Sequence, residues 1–396
     1  MCNFAEYLNH NQTMHKIKYF LIFHICLHIS VSIRASHDTI PVKNKFLEIH
    51  ATYTGDAVSN VVGGKQQKAA YLGMLNLEMA LNTEYADWWK GGNFYVKATN
   101  THGASPSADI IGDLQIASNI EAGNHTFLQE AWFSQSVSNL SITVGLQDLN
   151  KEFAVTEYGS SFLNSSFGII PTISNNLKAP IFPLTSFGLT LKWEINNRIT
   201  WLNAIYDGEP TDFTENAFNL SWQLHENDGL LAISEMQFND NKQLPGSYKI
   251  GLYNHSHYLS KLILKNTPDS VMHNSWGAFA YADKTFWKRS NRIFGAFVQT
   301  GYGFSPDSKC KMYIGGGFNY LGLAKKDGSD LLGLAMAHAK LQGNARSETS
   351  LELTYHFPLN KYLYIQPDIQ YIINPSGTYQ KLTDSLVGII RIGAAI

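Results

Sequence analysis

The feature of this sequence that most limits its fold is a recurring alternation of apolar and polar residues with a period of two. Clear examples are segments 187–195, 218–224 and 351–357. In the first of them the apolar positions are Phe187, Leu189, Leu191, Trp193 and Ile195. Because successive side chains of a β-strand point to opposite faces, each segment has one apolar and one polar face. A chain built from such segments must bury its apolar faces in a dry core or expose them to lipid around a polar interior.

The composition is compatible with the lipid-exposed arrangement. Charged residues are 16% of the 396 residues, below the roughly 25% of an average soluble domain, and aromatic residues are 13%. The mean hydropathy is only −0.16, as expected when a polar lumen offsets an apolar exterior. A secreted soluble β-rich protein that binds or cleaves glycans would have similar totals and remains an alternative. The formal net charge of −2 does not favour nucleic acid as a partner.

The first 35 residues are predicted to be a secretory signal segment. A basic start at 15–18 precedes an apolar run over 19–33, and a small-residue exit follows at Ala35. Met14 is an alternative start of translation.

The rest of the chain, residues 36–396, is predicted to be one domain. Its only cysteine is Cys310, so we expect no internal disulfide after the signal segment is removed. It contains no continuous apolar run that could form a spanning helix of about 20 residues. If such a chain lies in a membrane it must form a closed barrel, because only closure satisfies the backbone hydrogen bonds of every strand.

Strand-like segments follow one another along this domain, with turn-forming pairs such as Asn196-Asn197 and Asp228-Gly229 between them. The tally is about 16 strands, with 18 as the alternative. This number predicts an all-β fold, a closed antiparallel transmembrane β-barrel that is wide enough for an aqueous channel. The predicted strands are 46–53, 69–81, 94–99, 127–135, 140–147, 185–195, 198–206, 216–225, 229–239, 247–254, 274–282, 291–302, 311–322, 330–340, 348–357, 362–372 and 385–396.

Two long stretches interrupt the alternation. The stretch 100–121 is rich in turn residues and predicts a short helix over 108–120, whereas 153–181 is irregular and contains Pro171 and Pro180. Long loops of a compact fold are usually functional or disordered. Both stretches carry apolar residues, so we expect them to fold inward and constrict the channel.

The loops and the neighbouring strands also carry an ordered set of motifs. They include Tyr53-Thr54-Gly55-Asp56, Asn100-Thr101-His102-Gly103, Gly112-Asp113-Leu114-Gln115, Ser118-Asn119-Ile120-Glu121, Asp148-Leu149-Asn150, Asn164-Ser165-Ser166-Phe167-Gly168, Tyr206-Asp207-Gly208 and Gln366-Pro367-Asp368. In this order, over residues 50–390, the set resembles the carbohydrate-selective porin (OprB-type) family. The resemblance implies a 16-stranded outer-membrane barrel for the passive diffusion of sugars. One departure is that many outer-membrane barrels end in an aromatic residue, whereas this sequence ends in Ile396.

A sugar channel needs hydrogen-bonding groups for the sugar hydroxyls and an aromatic surface for the apolar C–H face. In the predicted strand 127–135, alternation places Glu130 and Trp132 on one face and Phe127 and Phe133 on the other. If the second face meets lipid, Glu130 and Trp132 point into the lumen together and form the favoured sugar contact. An aromatic girdle at the membrane interface is the alternative position for Trp132.

Loop residues form the second group of candidates for the sugar path. On a helix, Gln115 and Asn119 share a face, and we expect Asp113 and Glu121 to join them in a polar eyelet. The alternative is that these side chains cap or anchor the loop. The remaining candidate substrate-binding residues are Asn150, Glu152, Asn164 and Phe167.

No catalytic residue, metal site or cofactor is predicted. The pair His255 and His257 lacks a third ligand nearby in the sequence. The predicted polar faces also carry Lys97, Lys192 and Arg391. These basic residues are either solvated residues of the wall or positive groups opposite the eyelet carboxylates, where they would create a transverse electric field.

The predicted partners are sugars, from monosaccharides to oligosaccharides, and outer-membrane lipid. Monomer and homo-oligomer both remain open. A third functional hypothesis is a barrel that its own loops plug completely and that acts as a scaffold or adhesin.

Overall fold

The computed structural model describes residues 46–395, apart from 223, 225–227, 241–242, 260–270, 344–345 and 378–381, so the predicted signal segment 1–35 lies outside it. The described strands form one closed antiparallel barrel, in which each strand pairs with its sequence neighbours and the last pairs with the first. Sixteen strands are described: β1 (Leu47–Gly64), β2 (Lys68–Asn82), β3 (Gly92–Gly103), β4 (His125–Val137), β5 (Leu140–Gln147), β6 (Ser186–Asn196), β7 (Ile199–Asp207), β8 (Leu230–Asp240), β9 (Gly246–Leu259), β10 (Val271–Arg289), β11 (Arg292–Gly303), β12 (Cys310–Leu321), β13 (Leu331–Leu341), β14 (Ser347–Pro358), β15 (Leu363–Ile373) and β16 (Thr383–Ala395).

The alternation in the sequence separates the two faces of the barrel wall. Outward side chains such as Leu77, Ile250 and Leu252 are apolar and more than half exposed, whereas the alternate inward positions hold buried polar groups such as Glu235 and Glu352. Closure leaves no unpaired sheet edge. The predicted fold class, an all-β closed antiparallel barrel of about 16 strands, is therefore confirmed.

The two ends of the barrel differ in the length of their connections. At one end, called here the short-turn end, tight turns join β4 to β5, β6 to β7 and β10 to β11; at the other, the long-loop end, residues 104–124 and 148–185 join β3 to β4 and β5 to β6. Aromatic side chains pair on the outward face near the short-turn end, for example Phe94 with Phe133 and Trp193 with Trp201. Such aromatic belts are typical of barrels that cross a membrane.

The loop 148–185 leaves the wall where β5 ends early. On its β4 side, β5 reaches only residues 131–137 of that strand. The remaining backbone of β4 bonds to loop residues instead: the Leu128 N–H donates to the Phe218 carbonyl at 3.0 Å, and the Thr185 hydroxyl donates to the Gln129 carbonyl at 2.6 Å. The chain can therefore turn away from the wall after Gln147 without leaving these groups unpaired.

This loop builds an apolar core inside the barrel. Phe153, Phe162, Phe167 and Ile170 are at most 1% exposed and belong to one cluster with inward side chains of the wall, such as Phe297. The loop consists of short helical turns, including α1 (Pro171–Ser174), joined by irregular segments. None of the helices in the described part of the chain has the length and apolar character needed to cross a membrane.

The predicted helix over 108–120 is wrong. Only Ser107–Ile111 is helical, as a single π-helical turn that ends at Gly112 with a φ of 85°. The N–H groups of Leu114 and Gln115 donate to the carboxylate of Glu348 in β14, at 2.7 and 2.9 Å, rather than to helical carbonyls. A distant strand therefore replaces the local hydrogen bonds that a helix would have used.

The predicted strand at 216–225 is also wrong for the residues of it that are described. Its alternation is real, but β7 and β8 pair directly, from Ile199 opposite Phe238 to Asp207 opposite Leu230. Because neighbours in this barrel are antiparallel, a strand inserted between β7 and β8 would make those two parallel. The described residues between Asp207 and Leu230 are therefore a loop, and Phe218 bonds to β4 through its carbonyl.

Candidate functional site

A row of charged side chains crosses three neighbouring strands on the inward face. The register pairs Glu78 of β2 with Lys97 of β3, and Lys97 with Glu130 of β4. We call Glu78, Lys97 and Glu130 the charged row. The Lys97 ammonium lies 3.7 Å from an oxygen of Glu78. Alternating charges on adjacent strands hold the row together, because opposite charges directly across strands attract.

An aromatic pair lies directly beside the charged row. Tyr95 and Trp132 are cross-strand partners, and their rings stack with centroids 4.9 Å apart and planes 24° apart. The Trp132 indole N–H donates to Oε2 of Glu130 at 3.2 Å. Trp132 pairs with Gly145 of β5, whose φ is 135°, and a Cβ there would collide with the β4 backbone. Glycine thus allows the close strand approach that supports the indole.

The β4 face differs in one respect from the sequence prediction. Glu130 and Trp132 share the inward face as predicted, and Phe133 points outward, but Phe127 is also inward and only 2% exposed. The cause is a β-bulge: Lys97 pairs with Glu130 while Ala98 pairs with Leu128, which leaves an extra residue between them. An extra residue reverses the alternation. The prediction that Phe127 shares the lipid-facing side with Phe133 is therefore wrong.

Glu130 has an unused hydrogen-bonding group. The residue is 2% exposed, and within the described chain its Oε1 atom is buried without a hydrogen-bond partner. A buried carboxylate oxygen ordinarily accepts at least one hydrogen bond. Oε1 of Glu130 therefore has an unused acceptor position, which a hydroxyl or a water molecule reaches only when neighbouring side chains move.

Lys151 faces the charged row from the loop that follows β5. Its side chain is exposed, although Glu130, Asp148 and Glu78 all interact with its charge. Partial removal from water would lower the pKa of Lys151, but these carboxylates outweigh that effect and raise the pKa above its ordinary value. Lys151 therefore stays cationic, and its side chain is accessible to solvent.

Of the four candidates in loop 104–124, Gln115, Asn119 and Glu121 are held by protein contacts. The side-chain amide of Gln115 donates to Glu348, at 3.2 Å, and Gln115 is 2% exposed. The Glu121 carboxylate accepts from the Ser107 N–H at 3.0 Å. Asn119 accepts from Arg391 at 2.8 Å.

Burial raises the pKa of two of these carboxyls. The pKa of Asp113 rises to about 6. The pKa of Glu121 rises to about 7, to which the negative charge of Asp113 contributes. The loop therefore takes up protons near neutral pH.

The candidates of the second long loop divide into buried and exposed residues. Asn150 donates to the carbonyl of Gly168 at 3.1 Å. Asn164 and Phe167 are each 1% exposed: Asn164 donates to Gln370 at 3.2 Å, and Phe167 belongs to the apolar core. Glu152 is exposed and acts on the charge of Lys151. The structure thus brings Glu130, Trp132 and Glu152 near Lys151, and places Asn150, Asn164 and Phe167 in the loop framework.

The remaining polar residues considered in the sequence have local partners. Arg391 forms a two-bond ion pair with Asp56, at 2.8 and 2.7 Å. Lys192 lies 3.8 Å from Glu194. The His255 ring bonds to the Gly208 carbonyl, and the side chain of His257 lies outside the described part. No group of side chains suited to a metal ion occurs among the described residues.

Sequence reasoning missed the carboxylates that hold the loops. Glu235 accepts from the Ala154 N–H at 2.7 Å, and Asp283 from the Tyr158 N–H at 3.1 Å. Glu352 accepts from the N–H groups of Leu163 and Asn164, at 2.5 and 3.0 Å. With Glu348 these carboxylates form what we call the anchoring wall, Glu235, Asp283, Glu348 and Glu352. Their only signal in the sequence is an acidic residue at an inward position of a strand.

Several solved outer-membrane proteins have a fold similar to this one. The high-pH structure of Pseudomonas putida OprB has a TM-score of 0.80 at 19% identity, covering 89% of this chain and 95% of that chain. The low-pH structure of the same protein gives 0.58 at 17% identity, covering 89% and 93%. OmpT, an outer-membrane protein of Vibrio cholerae, gives 0.51 at 8% identity, covering 88% and 99%. At these identities the likeness concerns the fold.

Sequence comparison identifies the family. No curated protein sequence matches the chain. The model of the carbohydrate-selective porin family, OprB, matches residues 66–395, which is most of the barrel. Together with the closed 16-stranded fold and its apolar exterior, this match shows that the chain belongs to the carbohydrate-selective OprB porin family and is an outer-membrane β-barrel.

Proposed function

We propose that sugars cross this porin along the charged row, with Trp132 as the stacking surface, and leave chemically unchanged. The observation that carries the proposal is the unpartnered Oε1 of Glu130 beside the indole of Trp132. A sugar offers hydroxyl donors around its ring and an apolar C–H face. A free carboxylate oxygen next to an aromatic ring is complementary to both.

The charges near the path can hold a sugar only weakly. Glu78 and Lys97 already pair with each other, so a hydroxyl group competes with an existing ion pair. Lys151 and Glu152 come from the loop and add one charge of each sign near the charged row. Weak, distributed contacts suit a channel, because a solute that binds tightly cannot leave.

The loop candidates have a supporting part in this proposal. Gln115, Asn119 and Asn164 hold the folded loops to the wall, and the loops set the width of the path. Asn150 joins two parts of its own loop. Glu121 stabilises the turn that follows β3 by accepting from the Ser107 N–H, and the carboxyl oxygens of Asp113 are buried in the same loop. Of the loop residues, Glu152 is exposed and can contact a sugar without movement of its neighbours.

Liposome swelling tests the transport proposal. Vesicles containing the full chain should swell faster in isotonic monosaccharide than in a zwitterionic amino acid of similar size. Glu130→Gln should slow sugar entry, because the amide carries no charge and is a weaker acceptor. Glu84→Gln, in the turn after β2, is the matched control and should behave as the parent. Equal rates for sugar and amino acid would contradict selectivity, and absence of swelling and of planar-bilayer conductance would favour a plugged scaffold.

A further inference from the structure

A polar groove interrupts the outward wall of the barrel at the long-loop end. It encloses about 650 Å³ and lies over β13 and β14 and the connections beside them. The groups that line it are His338, Lys340, Arg346, Ser347, Thr349, Ile373, Asn374 and Asp384. None of these residues belongs to the sugar path proposed above.

The groove carries an excess of positive charge. Lys340 and Arg346 are exposed, and the His338 ring bonds to the Thr349 hydroxyl at 2.8 Å. Asp384 is the acidic group of the lining. Its oxygens accept from the Asn374 N–H at 3.0 Å and from the Tyr371 hydroxyl at 3.3 Å. Two permanent cations thus line the groove and are accessible to an outside ligand. A phosphate offers several acceptor oxygens to such charged donors.

The strand register places this charge directly above an apolar surface. Lys340 pairs with Ser347, and His338 pairs with Thr349, two residues further from the loops. The next outward row consists of Met336, Leu351, Tyr371 and Leu386, paired in succession across β13 to β16. Each of these four side chains is more than a third exposed. Rows two residues apart are separated by about 7 Å along a strand, so a head group and its acyl chains would meet polar and apolar surface in turn.

We propose that this groove binds the phosphorylated head group of a lipid in the membrane leaflet at the long-loop end. The cations at the polar edge contact the phosphate, and the apolar row contacts the acyl chains. Outer-membrane barrels generally have their longer loops at the cell surface. The ligand is therefore a phosphate-bearing lipid of the surface leaflet, and the proposal is independent of the route that sugars take through the lumen.

Native mass spectrometry of the full chain in detergent tests this proposal, with bisphosphorylated lipid A as the probe. The parent protein should retain the lipid, and dephosphorylated lipid A should bind much less. The double variant Lys340→Gln, Arg346→Gln should weaken binding about tenfold or more, because it removes both charge-assisted contacts. Lys68→Gln, which removes an exposed cation at the long-loop end outside the groove, is the matched control and should bind like the parent.

The remaining outcomes contradict the proposal in distinct ways. Equal retention of the phosphorylated and dephosphorylated lipids would show that the acyl chains alone are bound. Competition by inorganic phosphate at the concentration of the lipid would show a free-anion site instead of a lipid site. Unchanged binding by the double variant would place the lipid elsewhere. Monosaccharide flux through the double variant should equal that of the parent, which confirms that the barrel is folded.

Discussion

The anchoring wall and the charged row face the same interior, yet their carboxylates have different partners. Glu235, Asp283, Glu348 and Glu352 accept hydrogen bonds from the backbone of the inward loops. Glu78 and Glu130 lie instead beside Lys97, and Lys151 faces them. An acidic residue at an inward strand position can therefore fix the width of the channel or contact what passes through it.

The difference arises from where the loop core lies. Phe153, Phe162 and Phe167 pack in one cluster with inward side chains of β7 to β13, and the loop backbone around them needs acceptors. The strands β2 to β4 lie outside that cluster, so their charges stay available to one another and to solutes. Substitutions in the two regions should consequently have different effects.

The largest effect is expected for Glu352→Ala in the anchoring wall. The change removes the acceptor for the N–H groups of Leu163 and Asn164, at a cost of about 1–3 kcal/mol for each group left unpaired. The loop should detach in part, so single-channel conductance should rise and discrimination between sugars should fall. Glu352→Gln, which keeps one acceptor oxygen, should show a smaller change. An unchanged conductance in Glu352→Ala would show that Glu352 does not hold the loop.

A smaller effect, with the opposite signature, is expected for Trp132→Ala beside the charged row. Loss of aromatic contact worth about 0.5–1.5 kcal/mol should raise the sugar concentration for half-block of the ion current about two- to tenfold. Conductance without sugar should change little, because Trp132 does not hold a loop. Phe133→Leu, its outward neighbour, is the control. Equal sugar block in Trp132→Ala and the parent would remove Trp132 from the path.

A pH effect is expected for the loop 104–124. Its folded arrangement raises the pKa of Asp113 to about 6 and that of Glu121 to about 7. The stability gained from protonation is complete below about pH 4 and is lost as the pH rises through 7. Current fluctuations caused by loop opening should therefore be more frequent at pH 8 than at pH 5.

Variants separate this pH effect from other titrations. The double variant Asp113→Asn, Glu121→Gln should remove the part of the pH dependence that comes from these two carboxyls. Asp212→Asn should leave the dependence unchanged, because hydrogen bonds from Thr214 lower the pKa of Asp212, which follows β7. More frequent fluctuations at pH 5 than at pH 8 in the parent protein would contradict the prediction.

The smallest effect is expected for Lys151→Gln. Removing one cation near Glu78 and Glu130 should shift the reversal potential in a salt gradient toward cation selectivity, by about twofold in permeability ratio. Because its pKa is raised, the contribution of Lys151 should be constant between pH 5 and 9. Lys288→Gln, an exposed lysine at the short-turn end, is the control. A reversal potential unaffected by Lys151→Gln would place this side chain away from the ion path.

Most of the barrel could be predicted because strand alternation is a local property. The predicted strand 185–195 corresponds to β6 at 186–196, and 348–357 to β14 at 347–358. The strand at 216–225 failed because the same alternation can occur in a loop, and only the direct pairing of β7 with β8 excludes it. The helix over 108–120 failed because Glu348, far away in the sequence, binds the backbone of that segment.

The candidate site was predictable only in part, because some of its features depend on pairing between strands. Alternation was sufficient to place Glu130 and Trp132 on one face. The bulge that turns Phe127 inward, and the register that sets Lys97 between Glu78 and Glu130, depend on pairing with other strands. No local pattern reports such pairing.

The amino-acid sequence by itself determined that this chain forms strands with one apolar and one polar face, because alternation with a period of two is a local property. Closure of the barrel decided that the apolar face lies outside and the polar face inside. The tertiary structure decided which inward carboxylates hold the loops and which remain available to sugars. That choice depends on contacts between residues far apart in the sequence, such as Gln115 and Glu348, which are 233 positions apart. Such contacts exist only after the barrel closes around its loops.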